Sequence, residues 1–201
     1  AGIPVVVFRR WRHQKALDHV AYLGTGLYTG AREAVKHLID RGCRNVVYVD
    51  RISAKGHISP PDDMRFSGFV DEMEANGFTV GPDNIICGCR SQEDLAEEVK
   101  RRLRTGSRVD GIFGRNDMLA CIAMTAAGQI GIQVPGQLKV IGFDDSSISR
   151  LITPGLSTIQ MRKERIAQAA IDMLTQMIAG RQPENRDFET VLIERDSTRM
   201  M

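Results

Sequence analysis

Residues 134–145 read VPGQLKVIGFDD, which is the most informative stretch of the sequence. Its centre, 140–143, is apolar throughout, which is typical of a strand covered on both faces of a parallel sheet. Asp144 and Asp145 follow at once, so two carboxylates stand where this strand ends. Open α/β sheets bind ligands beyond the carboxyl ends of their strands. The stretch therefore predicts a buried parallel strand that ends in a candidate binding site.

The two carboxylates have alternative roles. A carboxylate at a strand end can accept hydrogen bonds from two hydroxyl groups of a sugar. It can also cap a turn, here the one begun by the SSIS segment at 146–149. We expect Asp144 to contact a ligand and Asp145 to cap the turn.

Outward from this stretch, β-rich runs alternate with helical segments. Apolar residues recur at helical spacing in 28–41, 63–76, 117–129 and 162–179, and Ser91 is the expected N-cap of a further helix. Strands are expected at 3–8, 20–23, 46–49, 84–87, 109–113, 138–143 and 188–194. The polar segment 53–62 is expected to be a loop. This alternation predicts an α/β fold with doubly wound parallel sheets.

Two more polar side chains are candidates for the same edge of the sheet. Arg65 begins the helix after the polar loop, and its guanidinium offers a rigid fork to hydroxyl pairs, carboxylates or phosphates. The alternative for Arg65 is simple exposure to solvent. Asn116 follows the strand at 109–113, where it could offer an amide to a ligand, while Asp117 could cap the next helix.

The segment 24–30, GTGLYTG, resembles a dinucleotide-binding turn between a strand and a helix. Asp50 ends the next strand, where an acidic residue would bind ribose hydroxyls. The third glycine, however, stands at position 30, one residue late. We favour the interpretation that these glycines permit a chain crossover and a clean helix start. No cofactor is expected.

Composition excludes several classes of protein. The net charge is +2, with 26% charged residues, which does not indicate a nucleic-acid-coating surface. No apolar run approaches the roughly 20 residues that a membrane span needs. The four cysteines lack disulfide or zinc spacing, and the four histidines are scattered, so we expect reduced cysteines and no metal site. No catalytic constellation emerges, so an enzyme is not expected.

The motifs, taken in order, resemble those of the LacI/GalR family of bacterial regulators. The block at 134–145 is similar to V-P-x-x-L-x-V-I-G-F-D-D, which is the most specific match. Further matches are A-x-x-H-L-I-x-x-G-x-R at 34–44, R-x-x-G-F at 65–69, N-D-x-x-A at 116–120, L-T-T-I at 156–159 and L-x-x-R-x-S at 192–197.

The resemblance implies a two-lobed fold like that of type I periplasmic binding proteins, with the N-terminal lobe incomplete. Residues 1–24 and 160–187 would belong to the N-terminal lobe, and residues 25–159 and 188–201 to the C-terminal lobe. The chain would cross between lobes near 24–25, 159–161 and 186–188. The family's DNA-binding headpiece is not expected within this chain.

The resemblance also points to further ligand residues. Arg90 stands where relatives often carry a stacking aromatic, Thr25 where many carry a ligand-binding Asp, and Met161 where many carry a Gln. These departures weaken the expectation of an ordinary neutral sugar. Arg65 and Arg90 together hint at an acidic or phosphorylated ligand, unless Arg90 simply faces solvent.

The expected function is that of the sensing and dimerisation domain of a LacI-type regulator in the cytoplasm. A sugar, sugar phosphate or sugar acid would bind between the lobes of a homodimer and change the affinity for operator DNA, which the headpiece would bind. One alternative is a periplasmic sugar-binding protein of a transporter. A nicotinamide-dependent oxidoreductase that uses the Gly24 turn is the other.

Overall fold

The computed structural model describes residues 2–8, 19–55, 63–105 and 108–199. Most of the loop expected at 53–62 lies outside these ranges. The described strands are β1 (Val5–Val7), β2 (Val20–Gly24), β3 (Val46–Val49), β4 (Ile85–Ile86), β5 (Gly111–Gly114), β6 (Lys139–Phe143), β7 (Ser157–Gln160), β8 (Arg186–Asp187) and β9 (Val191–Ile193). The helices are α1 (Leu27–Asp40), α2 (Met64–Ala75), α3 (Gln92–Arg104), α4 (Asp117–Gln129), α5 (Ile148–Leu151) and α6 (Lys163–Ile178).

The strands form two separate sheets. The small sheet has the order β1-β2-β8, and its paired strands are parallel. The large sheet has the order β4-β3-β5-β6-β7-β9 and is parallel except that β9 runs antiparallel to β7. Both sheets therefore carry the parallel pairing that the strand–helix alternation predicts.

Helices cover both faces of the large sheet. On one face, α1 and α2 pack against Tyr48, Phe113 and Phe143. On the other face, α3 and α4 pack against Val49, Ile112 and Val140. This double cover explains why β3 and β5 are apolar throughout and why β6 is apolar after Lys139. The prediction of a doubly wound α/β fold is confirmed.

The small sheet is covered by α6. Ile166, Ala169 and Met173 of α6 are buried with Ala21 and Leu23 of β2. The periodicity of the segment 162–179 is thus explained by packing of this helix on the small sheet.

The chain passes between the two sheets three times. It leaves the small sheet after β2, returns after β7 through α6, and leaves again after β8. Two of these passages lie side by side, since Phe188 N donates to Gly24 O over 2.9 Å. All three passages meet the large sheet at one edge, where the candidate site lies.

Some expected elements differ from the structure. The strand predicted over 188–194 is shorter in the structure, where β9 covers Val191–Ile193, and the short strand β8 at Arg186–Asp187 precedes it. The sequence did not indicate β7 or α5 as elements. The cysteines are free thiols, three of them buried and Cys87 partly so. In the part of the chain that the structure describes, helices of the length and apolarity needed to cross a membrane are absent.

Candidate functional site

Four neighbouring strands of the large sheet are each followed at the carboxyl end by a residue of interest, three of them charged and one apolar. Asp50 follows β3, Arg115 follows β5, Asp144 follows β6 and Met161 follows β7. Parallel strands bring these positions to the same edge of the sheet. The edge predicted from the stretch 134–145 is therefore the one that gathers the candidate residues.

Asp144 lies at the centre of this edge. Its backbone is held by a hydrogen bond from its own N–H to Ile159 O, over 2.8 Å. Burial raises the pKa of the Asp144 carboxyl, while the positive charges of Arg65 and Lys163 oppose that rise. The carboxylate thus lies within electrostatic reach of Arg65.

Arg65 lies over the ring of Phe143, the residue that precedes Asp144. Its guanidinium carbon is 5.4 Å from the centroid of the Phe143 ring, in the range of a cation–π contact. The Arg65 side chain is only 14% exposed, and its Nη2 lies 3.3 Å from Asp63 Oδ2. The structure therefore brings together Arg65 and Asp144, which the sequence proposed as ligand residues, and Arg65 is not merely a solvated surface side chain.

Asp145 holds the turn in place. Its carboxylate accepts hydrogen bonds from Arg195 Nη2 at 2.6 Å, Gln160 Nε2 at 2.8 Å and Ser149 Oγ at 3.3 Å. Burial alone would raise the pKa of Asp145, but these partners lower it. Asp145 thus stabilises the turn, as expected, and its carboxylate is occupied by these partners.

Asn116, and not Asp117 as considered from the sequence, caps helix α4. Asn116 is the N-cap of α4, where its Oδ1 accepts from Leu119 N over 3.0 Å. Asp117 is buried and does not cap the helix. Its carboxylate accepts from Ser146 N and Ser146 Oγ, and from Thr158 Oγ1 on β7. The cap leaves the amide nitrogen of Asn116 unused, so that group is the one available to a ligand.

Thr25 and Met161 line two grooves at the same edge. Thr25 lies in the crossover groove, about 210 Å³, with Tyr28, Met64 and Phe188. Met161 lies in the carboxylate groove, about 280 Å³, which also contains Asp144, Asp145, Gln160, Arg150 and the start of α6. Met161 is partly buried against both the small-sheet core and the α1 side of the large sheet.

Arg90 does not join this group. It comes after β4, the edge strand of the large sheet, and its side chain is exposed. The pairing of Arg65 with Arg90, which hinted at an acidic ligand, stays a prediction. Arg115 lies closer, because its Nε is 2.7 Å from Asp63, the carboxylate that also contacts Arg65.

The glycine-rich turn is explained by close packing. A Cβ atom at Gly26 would lie 2.6 Å from Phe188 O, and one at Gly30 would lie 2.7 Å from Thr190 Oγ1. Gly26 also has φ 77°, a conformation that favours glycine. Asp50, the residue considered for ribose binding, instead pairs with Arg115. The turn thus admits the returning chain, as the crossover interpretation proposes.

Residues 35–198 match the family model of the periplasmic binding protein-like domain. The chain is 28% identical to the ribose operon repressor of Halalkalibacterium halodurans over 204 residues, which covers 98% of the chain and 57% of the repressor. It is 30% identical to the transcriptional repressor PurR of Pectobacterium carotovorum over 198 residues, covering 98% of the chain and 56% of the repressor. The chain spans little more than half the length of these relatives.

A solved structure has the same fold. It is a periplasmic binding protein/LacI transcriptional regulator from Alkaliphilus metalliredigens in complex with D-xylulofuranose. The two chains are 29% identical with a TM-score of 0.76, and the match covers 98% of this chain and 71% of the other.

Proposed function

Because this chain belongs to the periplasmic binding protein-like domain family, in the form found in the effector-binding cores of LacI-type regulators, we propose that it senses a small sugar-like effector. The observation that carries the proposal is the position of Arg65 over Phe143 beside Asp144, at the carboxyl edge of the large sheet. One group donates hydrogen bonds and the other accepts them, which suits vicinal hydroxyls.

The ligand class is supported by relatives. The Alkaliphilus protein was solved with D-xylulofuranose, and the Halalkalibacterium relative is a ribose operon repressor. We assign Asp144, Arg65 and Asn116 as direct contacts, with Thr25 and Met161 at the flanks of the site. Arg90 is a peripheral candidate at most. Sugars, sugar phosphates and sugar acids are the classes to be compared.

Effector binding would act on the angle between two lobes. In this proposal, residues 1–24 and 160–187 belong to the N-terminal lobe and residues 25–159 and 188–201 to the C-terminal lobe. An effector shifts the equilibrium only if it binds one lobe arrangement more tightly than another. Groups on both sides of the passages between sheets, such as Thr25 and Met161, would supply that difference.

The regulator would act on operator DNA in the cytoplasm as a homodimer. The named relatives are transcriptional repressors and are longer than the stretch matched here, so we assign DNA binding to a headpiece outside the matched stretch. We assign no catalytic role to the site.

Binding of D-ribose, D-xylulose and their 5-phosphates, measured by isothermal titration calorimetry on the full-length protein, tests the proposal. Asp144→Ala and Arg65→Met should each weaken the best ligand roughly 10- to 100-fold, because each removes a charge-assisted hydrogen bond. Asp83→Ala is the control, since that exposed carboxylate lies before β4, at the opposite end of the strands. Unchanged affinity in both site variants would contradict the assignment.

A further inference from the structure

Four charged side chains beside the site form a row of ion pairs, which we call the charge frame: Asp50, Arg115, Asp63 and Arg65. Arg115 Nη1 lies 2.9 Å from Asp50 Oδ1, and Arg115 Nε lies 2.7 Å from Asp63 Oδ2. The same Asp63 oxygen lies 3.3 Å from Arg65 Nη2. One end of the charge frame is thus Asp50, which follows β3 at the carboxyl edge of the large sheet. The other end is the Arg65 guanidinium, which we assign as a ligand contact.

We propose that Asp50 and Arg115 are positioning residues, which hold Asp63 and through it Arg65, and that the charge frame makes the site select uncharged polyhydroxy ligands over phosphorylated ones. The inference rests on the proposed function and narrows its ligand class. It assigns a role to Arg115, a residue that lies outside the motifs found in the sequence.

The charge of Arg115 is committed to the frame. Asp50 is 2% exposed and Asp63 is 15% exposed, while Arg115 is 17% exposed. A carboxylate as buried as Asp50 is costly without a cation, so the pair cannot easily be separated. Burial alone would lower the pKa of Arg115, but the charges of Asp63 and Asp50 raise it. Arg115 is therefore a poor partner for a further anion.

Asp63 links the position of Arg115 to that of Arg65. Its Oδ1 accepts hydrogen bonds from Arg65 N at 2.8 Å and Phe66 N at 3.1 Å, which caps helix α2. Its Oδ2 meanwhile faces the two guanidinium groups. The helix start, the carboxylate and the Arg65 side chain are thus fixed together. Such a preorganised group loses little conformational entropy when a ligand binds.

The balance of charge favours a neutral ligand. Within the frame, the two carboxylates cancel the two guanidinium groups, and Asp144 adds a further negative charge on the ligand side. A phosphate would meet Asp63 and Asp144, whereas a hydroxyl can both donate and accept there. Arg150 and Lys163 also line the carboxylate groove, but both are exposed, so solvent and salt screen their charges.

Inorganic phosphate is a probe that does not depend on knowing the effector. We would measure its dissociation constant by ³¹P NMR at constant ionic strength, for the full-length wild type and for Asp50→Asn. The wild type should show no saturable binding in the millimolar range. Asp50→Asn keeps the shape but frees part of the Arg115 charge, so it should bind phosphate about tenfold more tightly, as expected when one nearby negative charge is removed.

Three further variants make the result specific. Asp63→Asn should show the same gain, and it retains a residue that caps helices well. Asp50→Asn combined with Arg115→Gln should lose the gain, because the freed cation is gone. Asp83→Asn changes the net charge by the same amount at a position before β4, so it should show no gain in phosphate binding. A purely structural role for Asp50 and Arg115 would give no gain of phosphate binding in any variant.

Four outcomes would overturn the proposal. They are saturable phosphate binding by the wild type as tight as that of Asp50→Asn, no gain in either single frame variant, a gain that survives loss of Arg115, and an equal gain in Asp83→Asn. Failure of the sugar titrations, with the phosphate results as expected, would instead reject the proposed effector class while leaving the charge frame in place.

Discussion

His37 of α1 joins the end of the chain to the large sheet. Its Nε2 lies 2.7 Å from Thr198 Oγ1, which lies 2.6 Å from Ser157 Oγ on β7. All three residues are buried. Burial lowers the pKa of His37, although the charge of Glu194 opposes this effect. The neutral imidazole is therefore the form that this contact stabilises.

Acidification should weaken this contact. Because the folded pKa lies below 6.5, the unfolded chain binds more protons as the pH falls from that value, so stability is lost on the acidic side. We expect the difference in unfolding free energy between wild type and His37→Gln to shrink by up to about 1.4 kcal/mol per pH unit below pH 6.5.

Urea denaturation between pH 5 and pH 7.5 would measure this difference. Subtracting the variant from the wild type removes the contributions of other groups, including Asp144, whose raised pKa works in the opposite direction. If the difference in unfolding free energy does not change with pH, protonation of His37 does not control its contact with Thr198.

Sequence reasoning found some site residues but not the pairs among them. Asp144 and Arg65 could be identified because each follows a recognisable strand or loop. The pairing of Arg115 with Asp50 and Asp63 could not, since these residues are 65 and 52 positions away from Arg115. The available signal was that Asp50 and Arg115 both directly follow buried strands, which places them at the same edge of a parallel sheet.

At the scale of elements, the turn from β6 to α5 carries Asp144, the residue proposed to contact the ligand, in an unusual backbone conformation. Asp144 has φ 104° and Asp145 has φ 46°, both in the region that side chains disfavour. Asp117 holds the turn through Ser146, and Arg195 holds it through Asp145. These surrounding contacts keep the turn in place despite its local strain.

The strain predicts an inverted order of stability between two variants. Asp144→Gly should be more stable than Asp144→Ala by about 1 kcal/mol, because only glycine adopts this φ freely. Position 172, within helix α6, is the control, and there the alanine variant should be the more stable by about 0.5–1 kcal/mol. Urea denaturation of the four variants would test this, and the ordinary order at position 144 would contradict it.

Periodicity predicted the long helices well and the short or polar elements poorly. The boundaries of α1, α2, α4 and α6 agree with the sequence to within one residue at each end. Strand β7 was missed because Ser157 and Thr158 are polar although both are fully buried. Their hydroxyls are satisfied by Arg195, Thr198 and Asp117, contacts that arise only after folding.

At the scale of the whole molecule, an apolar groove between α3, α4 and α5 supports the homodimer proposal. It encloses about 650 Å³, more than either groove at the candidate site, and it contains Met118, Ile122 and Leu151. Met118 is 45% exposed and Leu151 is 81% exposed. Exposed apolar surface of this kind often marks a protein–protein interface.

Leu151→Glu should therefore shift the full-length protein from dimer to monomer, because the charge would be buried in the interface. Sedimentation equilibrium at micromolar concentration would measure the shift. Ile178→Glu is the matched control, since Ile178 is 77% exposed at the end of α6. A dimer that persists in Leu151→Glu but dissociates in Ile178→Glu would place the interface elsewhere.

The three passages between the sheets also limit how the molecule can deform. They lie at one edge, and the hydrogen bond from Phe188 to Gly24 fastens two of them together. Three short connections in such a row restrict translation of one sheet relative to the other. Rotation about the row is comparatively free. A conformational change that begins at Asp144 would accordingly take the form of a rotation about one axis. Its displacement would be largest at the ends of the molecule farthest from that row.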